Sequence, residues 1–84
     1  MKTITVLYFA SVREAVGSAS ETLQTRAATL GGLRQELAAR GGAWAQALAA
    51  ERPVRIALDQ TLARADQALP DGAEVAFFPP VTGG

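Results

Sequence analysis

The sequence predicts an α+β fold, a single mixed sheet with its helices gathered on one face, and three observations point to it. Period-two apolar alternation marks both ends of the chain, over residues 3–9 and 73–78. Helical spacing marks the middle, with Leu30, Leu33 and Leu37 at i, i+3 and i+7. The 84 residues are 49% hydrophobic, enough for one packed core in one small domain. A helical crossover between the two ends permits the first and last strands to lie parallel and adjacent.

Composition narrows the function classes before any motif is read. Eight basic and eight acidic residues cancel, so no general attraction to nucleic acid or membrane is expected. No cysteine and no histidine is present. That removes disulfides, thiol nucleophiles, thiolate metal sites and the commonest general base. Neither a metal centre nor an autonomous enzyme is expected. Residues 1–5 alternate like a strand and lack a signal-peptide apolar core, and no apolar run is long enough to span a membrane. The cytosol is the expected compartment.

In chain order, Thr3 to Phe9 is a strand with Ile4, Val6 and Tyr8 on its core face. Leu7 and Phe9 fall on the other face, either partly exposed or covered by a helix or loop; the strand alone leaves both readings open. Arg13 to Gly17 reads as one helical turn closed by glycine. Ser18 to Thr25 reads as an edge strand with Leu23 inward. Thr29 caps a helix over Leu30 to Arg40, weakened by Gly31 and Gly32 and ended by Gly41-Gly42. Ala43 to Arg52 is a second helix stopped by Pro53, with Trp44 as a core anchor rather than a ligand-stacking ring.

Val54 to Leu58 alternates again, turns at Asp59-Gln60 and returns over Thr61-Leu62-Ala63. Leu69-Pro70-Asp71-Gly72 is a turn, and the last strand runs from Ala73 to Phe78. Val75 and Phe77 point inward; Glu74, Ala76 and Phe78 point outward. The order β-β-α-α-β-β-β with parallel terminal strands is the β-grasp, or ubiquitin-like, arrangement. Residues 1–80 form that domain, and 81–84 form an extended tail ending in Gly-Gly.

The tail continues the last strand. Pro79 and Pro80 fix φ at its root, and Gly83 and Gly84 have no side chains to obstruct a narrow channel. Five extended residues reach roughly 16–18 Å, enough to carry a terminal carboxylate into another protein's active site.

The stretch Tyr8 to Glu14, the Leu58-Asp59-Gln60-Thr61 turn and above all the run Asp71 to Gly84, with its closing Phe-Phe-Pro-Pro-Val-Thr-Gly-Gly, resemble the sulfur carriers that form the small subunit of molybdopterin synthase. The resemblance spans the chain, and its specific part lies at the two ends. Asp59 departs from it, since the family usually has asparagine there. The resemblance implies that Gly84 is adenylated and then carries sulfur as a thiocarboxylate. It also implies that Gly83 gives clearance and that Val81 and Thr82 set register in the partner's channel. Phe9, Leu62 and Phe78, with Pro79 and Pro80, match subunit-interface positions, and Arg13 is a candidate rim contact.

The implied partners are the synthase large subunit, an adenylating enzyme similar to ubiquitin-activating enzymes, and a sulfur donor. ATP belongs to the activating partner, and no cofactor is bound by the chain itself. Two loaded carriers are consumed per molybdopterin dithiolene. The competing readings are a carrier for thiamine or cysteine synthesis and a protein modifier conjugated through its C-terminus. Lys2 as the sole lysine disfavours self-conjugated polymers.

Overall fold

The computed structural model describes residues 1–80, so the tail residues Val81, Thr82, Gly83 and Gly84 lie outside the described residues. The elements are β1 (Lys2–Tyr8), α1 (Ala10–Val16), β2 (Ser20–Thr25), α2 (Leu30–Ala38), α3 (Gly42–Leu48), β3 (Arg55–Leu58), β4 (Thr61–Ala63) and β5 (Glu74–Phe78). They form a five-stranded sheet in the order β2-β1-β5-β3-β4. β1 and β5 pair in parallel at its centre, with Val6 opposite Val75 and Tyr8 opposite Phe77, and the other pairs are antiparallel. This is the β-grasp arrangement that the alternation at the two ends predicts, with β2 at an edge.

One face of the sheet is closed. Ile4, Val6 and Tyr8 of β1 and Val75 and Phe77 of β5 are buried together with Val12 of α1, Leu30, Leu33 and Leu37 of α2, and Leu48 of α3. Removing this apolar surface from water is the main force holding helices to sheet, at roughly 25 cal/mol per Å². Thr29 caps α2 through its hydroxyl, which accepts the Gly32 N–H at 3.0 Å. Trp44 packs against this core, as its reading as an anchor requires, and meets the Tyr8 ring edge-on at 5.4 Å.

Three helix boundaries differ from the sequence reading by two residues or more. The helical turn after β1 is a full helix that begins at Ala10, because the Phe9 carbonyl accepts from both Val12 N–H and Arg13 N–H. Its C-terminus is the left-handed Gly17, whose N–H returns to the Arg13 carbonyl at 2.9 Å. α2 stops at Ala38, short of Arg40. α3 stops at Leu48 rather than running to Arg52, because Arg34 captures the next carbonyls. Its Nε donates to Leu48 O at 2.8 Å, and its Nη2 donates to both Ala49 O and Arg52 O at 2.6 and 2.8 Å. Burial in this position lowers the Arg34 pKa.

Candidate functional site

The elements that matter converge at the C-terminal end of β5, where the tail leaves the sheet. Parallel pairing puts the end of β1 beside the end of β5, and the Phe9 N–H donates to the Phe77 carbonyl at 3.1 Å. Phe9 then turns the chain into α1 through Ala10, a non-glycine residue at φ 50. Phe9 is left 47% exposed, which decides between the two sequence readings in favour of exposure.

Among the described residues no helix covers the second face of the sheet at this end. Sheet registers place Leu62, Ala57, Ala76 and Leu7 in one transverse row across β4, β3, β5 and β1. Above this row lies a shallow, mainly apolar groove of about 770 Å³, lined among others by Leu7, Phe9, Ala76, Phe78, Pro79 and Pro80. Leu62 is 62% exposed and flanks the groove across β3. Contiguous exposed apolar surface of this kind marks an interaction site.

A second hollow of about 500 Å³ lies on the helical side, between α1 and α3, with Val12, Ala15, Ala47 and Val54 in its wall. Pro79 and Pro80 line both hollows, so the root of the tail is a ridge between them.

The structure therefore brings together Phe9, Phe78, Pro79 and Pro80 and places Leu62 beside them. Arg13 is exposed on α1 and does not line the groove. Among the described residues no group of His, Cys, Asp and Glu is arranged to hold a metal ion. The groove also contains residues to which the sequence reading gave no place at the site, among them Ala57, Gln60 and Glu74. Alternation puts Ala57 and Glu74 on this face, but a single alanine or glutamate carries no sign that it lines a groove.

Asp59 and Gln60 make the β3–β4 connection with φ 49 and 71, both left-handed, as a two-residue turn matched to the strand twist requires. Asp59 is also bound to β5. Its Oδ1 accepts the Glu74 N–H at 2.9 Å, and its own N–H donates to Glu74 O at 2.8 Å. The contact uses the side chain as an acceptor, a role that an asparagine amide oxygen also fills.

Behind the groove, a polar chain stiffens the end of β1. Tyr8 Oη donates to Glu21 Oε2 at 2.8 Å, and Arg40 binds both Glu21 oxygens at 2.9 and 3.0 Å. The Arg40 guanidinium lies 4.4 Å from the centre of the Trp44 ring. Burial, reinforced by the Glu21 contact, pushes the Tyr8 pKa well above its usual range. The Arg40 hydrogen bonds hold Glu21 below the usual carboxylate value.

A mixed sheet in this order, with its helices on one face and an apolar groove on the other where Pro79-Pro80 follow β5, places the chain in the ubiquitin-like class of β-grasp domains. The chain belongs to the ThiS family, whose model matches residues 6–84. It is 48% identical over 81 residues to the molybdopterin synthase sulfur carrier subunit of Escherichia coli K12, covering 96% of this chain and 99% of that one. It is 42% identical, with the same coverage, to the Haemophilus influenzae protein of the same description. Its fold is similar to that solved in the complex of subunits 1 and 2 of the molybdopterin-converting factor from Helicobacter pylori. That likeness has a TM-score of 0.67 at 24% identity and covers 98% of this chain and 99% of that one.

Proposed function

We propose that the chain is the sulfur-carrier subunit of a molybdopterin synthase and that Gly84 is its reacting residue. The observation that carries this reading is the near-full-length identity to two sulfur carrier subunits of that enzyme. The apolar groove at the root of the tail supports it, because a carrier has to dock before it can deliver.

The chemistry asks for no catalytic side chain on the carrier. An α-carboxylate, with a pKa of about 3.3–3.7, is ionised at neutral pH and a poor electrophile. Its attack on the α-phosphate of ATP, bound by the adenylating partner, forms an acyl adenylate and releases pyrophosphate. A sulfide-equivalent donor then displaces AMP and leaves a thiocarboxylate on Gly84. In the large subunit that sulfur attacks a carbon of the pterin precursor and displaces an oxygen leaving group from it; hydrolysis of the resulting thioester leaves the sulfur on the pterin and returns the Gly84 carboxylate. The partners supply the charged pocket, the acid and the base. Phe9, Leu62, Phe78 and the Pro79-Pro80 ridge seat the domain against the large subunit, and Arg13 contributes at most a rim contact.

Intact-mass analysis after incubation with the adenylating enzyme, ATP and a sulfur donor tests the reading. The expected result is an oxygen-for-sulfur exchange confined to the C-terminal peptide, followed by its loss when large subunit and pterin precursor are added. A chain lacking Gly84 that still supported full molybdopterin formation would overturn it.

A further inference from the structure

We infer that Glu74 is the charge that orients the partner on the groove, and that the large subunit places a lysine or arginine directly against it. This rests on the reading that the large subunit occupies the groove. Glu74 lines that groove among apolar neighbours and is only half-buried in the free chain. Its backbone is gripped from both sides by Asp59, through Glu74 N–H to Asp59 Oδ1 and Asp59 N–H to Glu74 O, so its position on the sheet is fixed.

Among the described residues its carboxylate has no hydrogen-bond or ion-pair partner; the ion pairs there are Arg40–Glu21 and Arg64–Asp66. A partner that covers the groove takes this carboxylate out of water, and a desolvated charge is tolerated only when paired. The chain offers no cation for the purpose. On this face the basic residue of β3 is Arg55, opposite Phe78. It stands four residues along β5 from Glu74, about 13 Å away at the usual strand rise.

The face is consequently polar along its length. Carboxylates of Glu74 and Asp59 mark one end, Arg55 marks the end from which the tail departs, and apolar residues lie between. A partner carrying the complementary order fits in one direction only, because reversal sets like charges against each other. The direction it fixes sets the Arg55 and Pro79-Pro80 end of the face against one part of the partner.

Calorimetric titration of the full-length chain with the large subunit, at low and at moderate salt, tests the assignment. Glu74→Gln keeps the shape of the side chain and removes its charge; Glu74→Lys reverses it; Gln35→Lys, on the exposed side of α2, serves as a distant control. Glu74→Gln is expected to weaken binding about tenfold and Glu74→Lys about a hundredfold or more. The affinity of Glu74→Gln should also fall less steeply with salt than that of the natural chain, and Gln35→Lys should leave affinity unchanged. Glu74→Gln decides the matter if Glu74→Lys fails to fold. Binding by Glu74→Gln within about twofold of the natural chain, with the same salt dependence, would overturn the assignment alone. Failure of the natural chain to bind the large subunit would overturn the partner reading, and this assignment with it.

Discussion

Phe77 and Phe78 are neighbours in β5 with opposite surroundings. Phe77 is fully buried and stacked on Tyr8 at 6.4 Å between ring centres, whereas Phe78 lies half-buried in the open groove beside Pro79 and Pro80. The period of two along a strand makes this division unavoidable, and it separates a residue that holds the fold from one that faces the open groove.

Truncating Phe78 to alanine is therefore expected to leave the melting temperature within a few degrees of the natural chain while weakening assembly with the large subunit by tenfold or more, of the order found for aromatic anchors at interfaces. Paired calorimetry and thermal melts check it. A large drop in melting temperature with unchanged affinity would assign Phe78 to the core instead.

Phe77→Ala is expected to behave in the opposite way. Removing a fully buried ring stacked on Tyr8 should cost about 3–5 kcal/mol, a large share of the stability of so small a domain. Denaturant titration should show the midpoint moving sharply towards zero. A loss below about 1 kcal/mol would mean that the Tyr8 side of the core collapses to fill the gap.

The glycines that open α2 give a third test. In the sequence, Gly31 and Gly32 read only as a weakness in the helix. The structure supplies a reason for the first: a Cβ on Gly31 would meet the Ala65 carbonyl oxygen at 3.1 Å and the Ala65 Cβ at 3.2 Å, while the Gly31 N–H donates to that same carbonyl at 2.8 Å. Gly31→Ala is expected to be destabilising by about 1 kcal/mol or more, despite a gain of about 1 kcal/mol in helix propensity. At Gly32 the nearest atom is the Thr29 hydroxyl at 3.3 Å. Gly32→Ala should accordingly be the milder change, and chemical denaturation of the two variants side by side ranks them.

Gly31 also shows why part of the structure could not be read from the chain. Its constraint comes from residue 65, brought in by the loop before the Thr29–Ala68 bridge, and no local pattern contains that contact. The same holds for the early end of α3, which Arg34 imposes from another helix, and for the groove floor, where Ala57 and Ala76 matter only because two strands set them side by side. The features that were readable rest on short periods and local chemistry. Alternation in β1 and β5 marked the buried face, the three leucines of α2 marked its inner stripe, and Asp59-Gln60 marked the turn. Phe9 lay between the two classes, since its exposure depends on a helix beginning immediately after it.

The last expectation concerns pH and follows from the chain Tyr8–Glu21–Arg40. Glu21 is held below its ordinary 4.5, first by the Arg40 hydrogen bonds. A depressed carboxylate contributes stability that is complete above 4.5 and is lost as pH falls below it, because the unfolded chain takes up the proton first. Tyr8 is shifted the other way, above its ordinary 10.0, first by burial and then by Glu21. Its contribution is complete below 10.0 and is lost as pH rises beyond it, because the unfolded phenol ionises first. Urea midpoints measured across pH should therefore form a plateau with two falling shoulders. Glu21→Gln should flatten the acid shoulder, and Tyr8→Phe should remove the alkaline one while costing about 1 kcal/mol on the plateau for the lost hydrogen bond. If Glu21→Gln follows the natural chain point for point on the acid side, the Arg40 pair contributes nothing to folding. The Tyr8–Trp44 contact would then be what holds this corner of the sheet against α3.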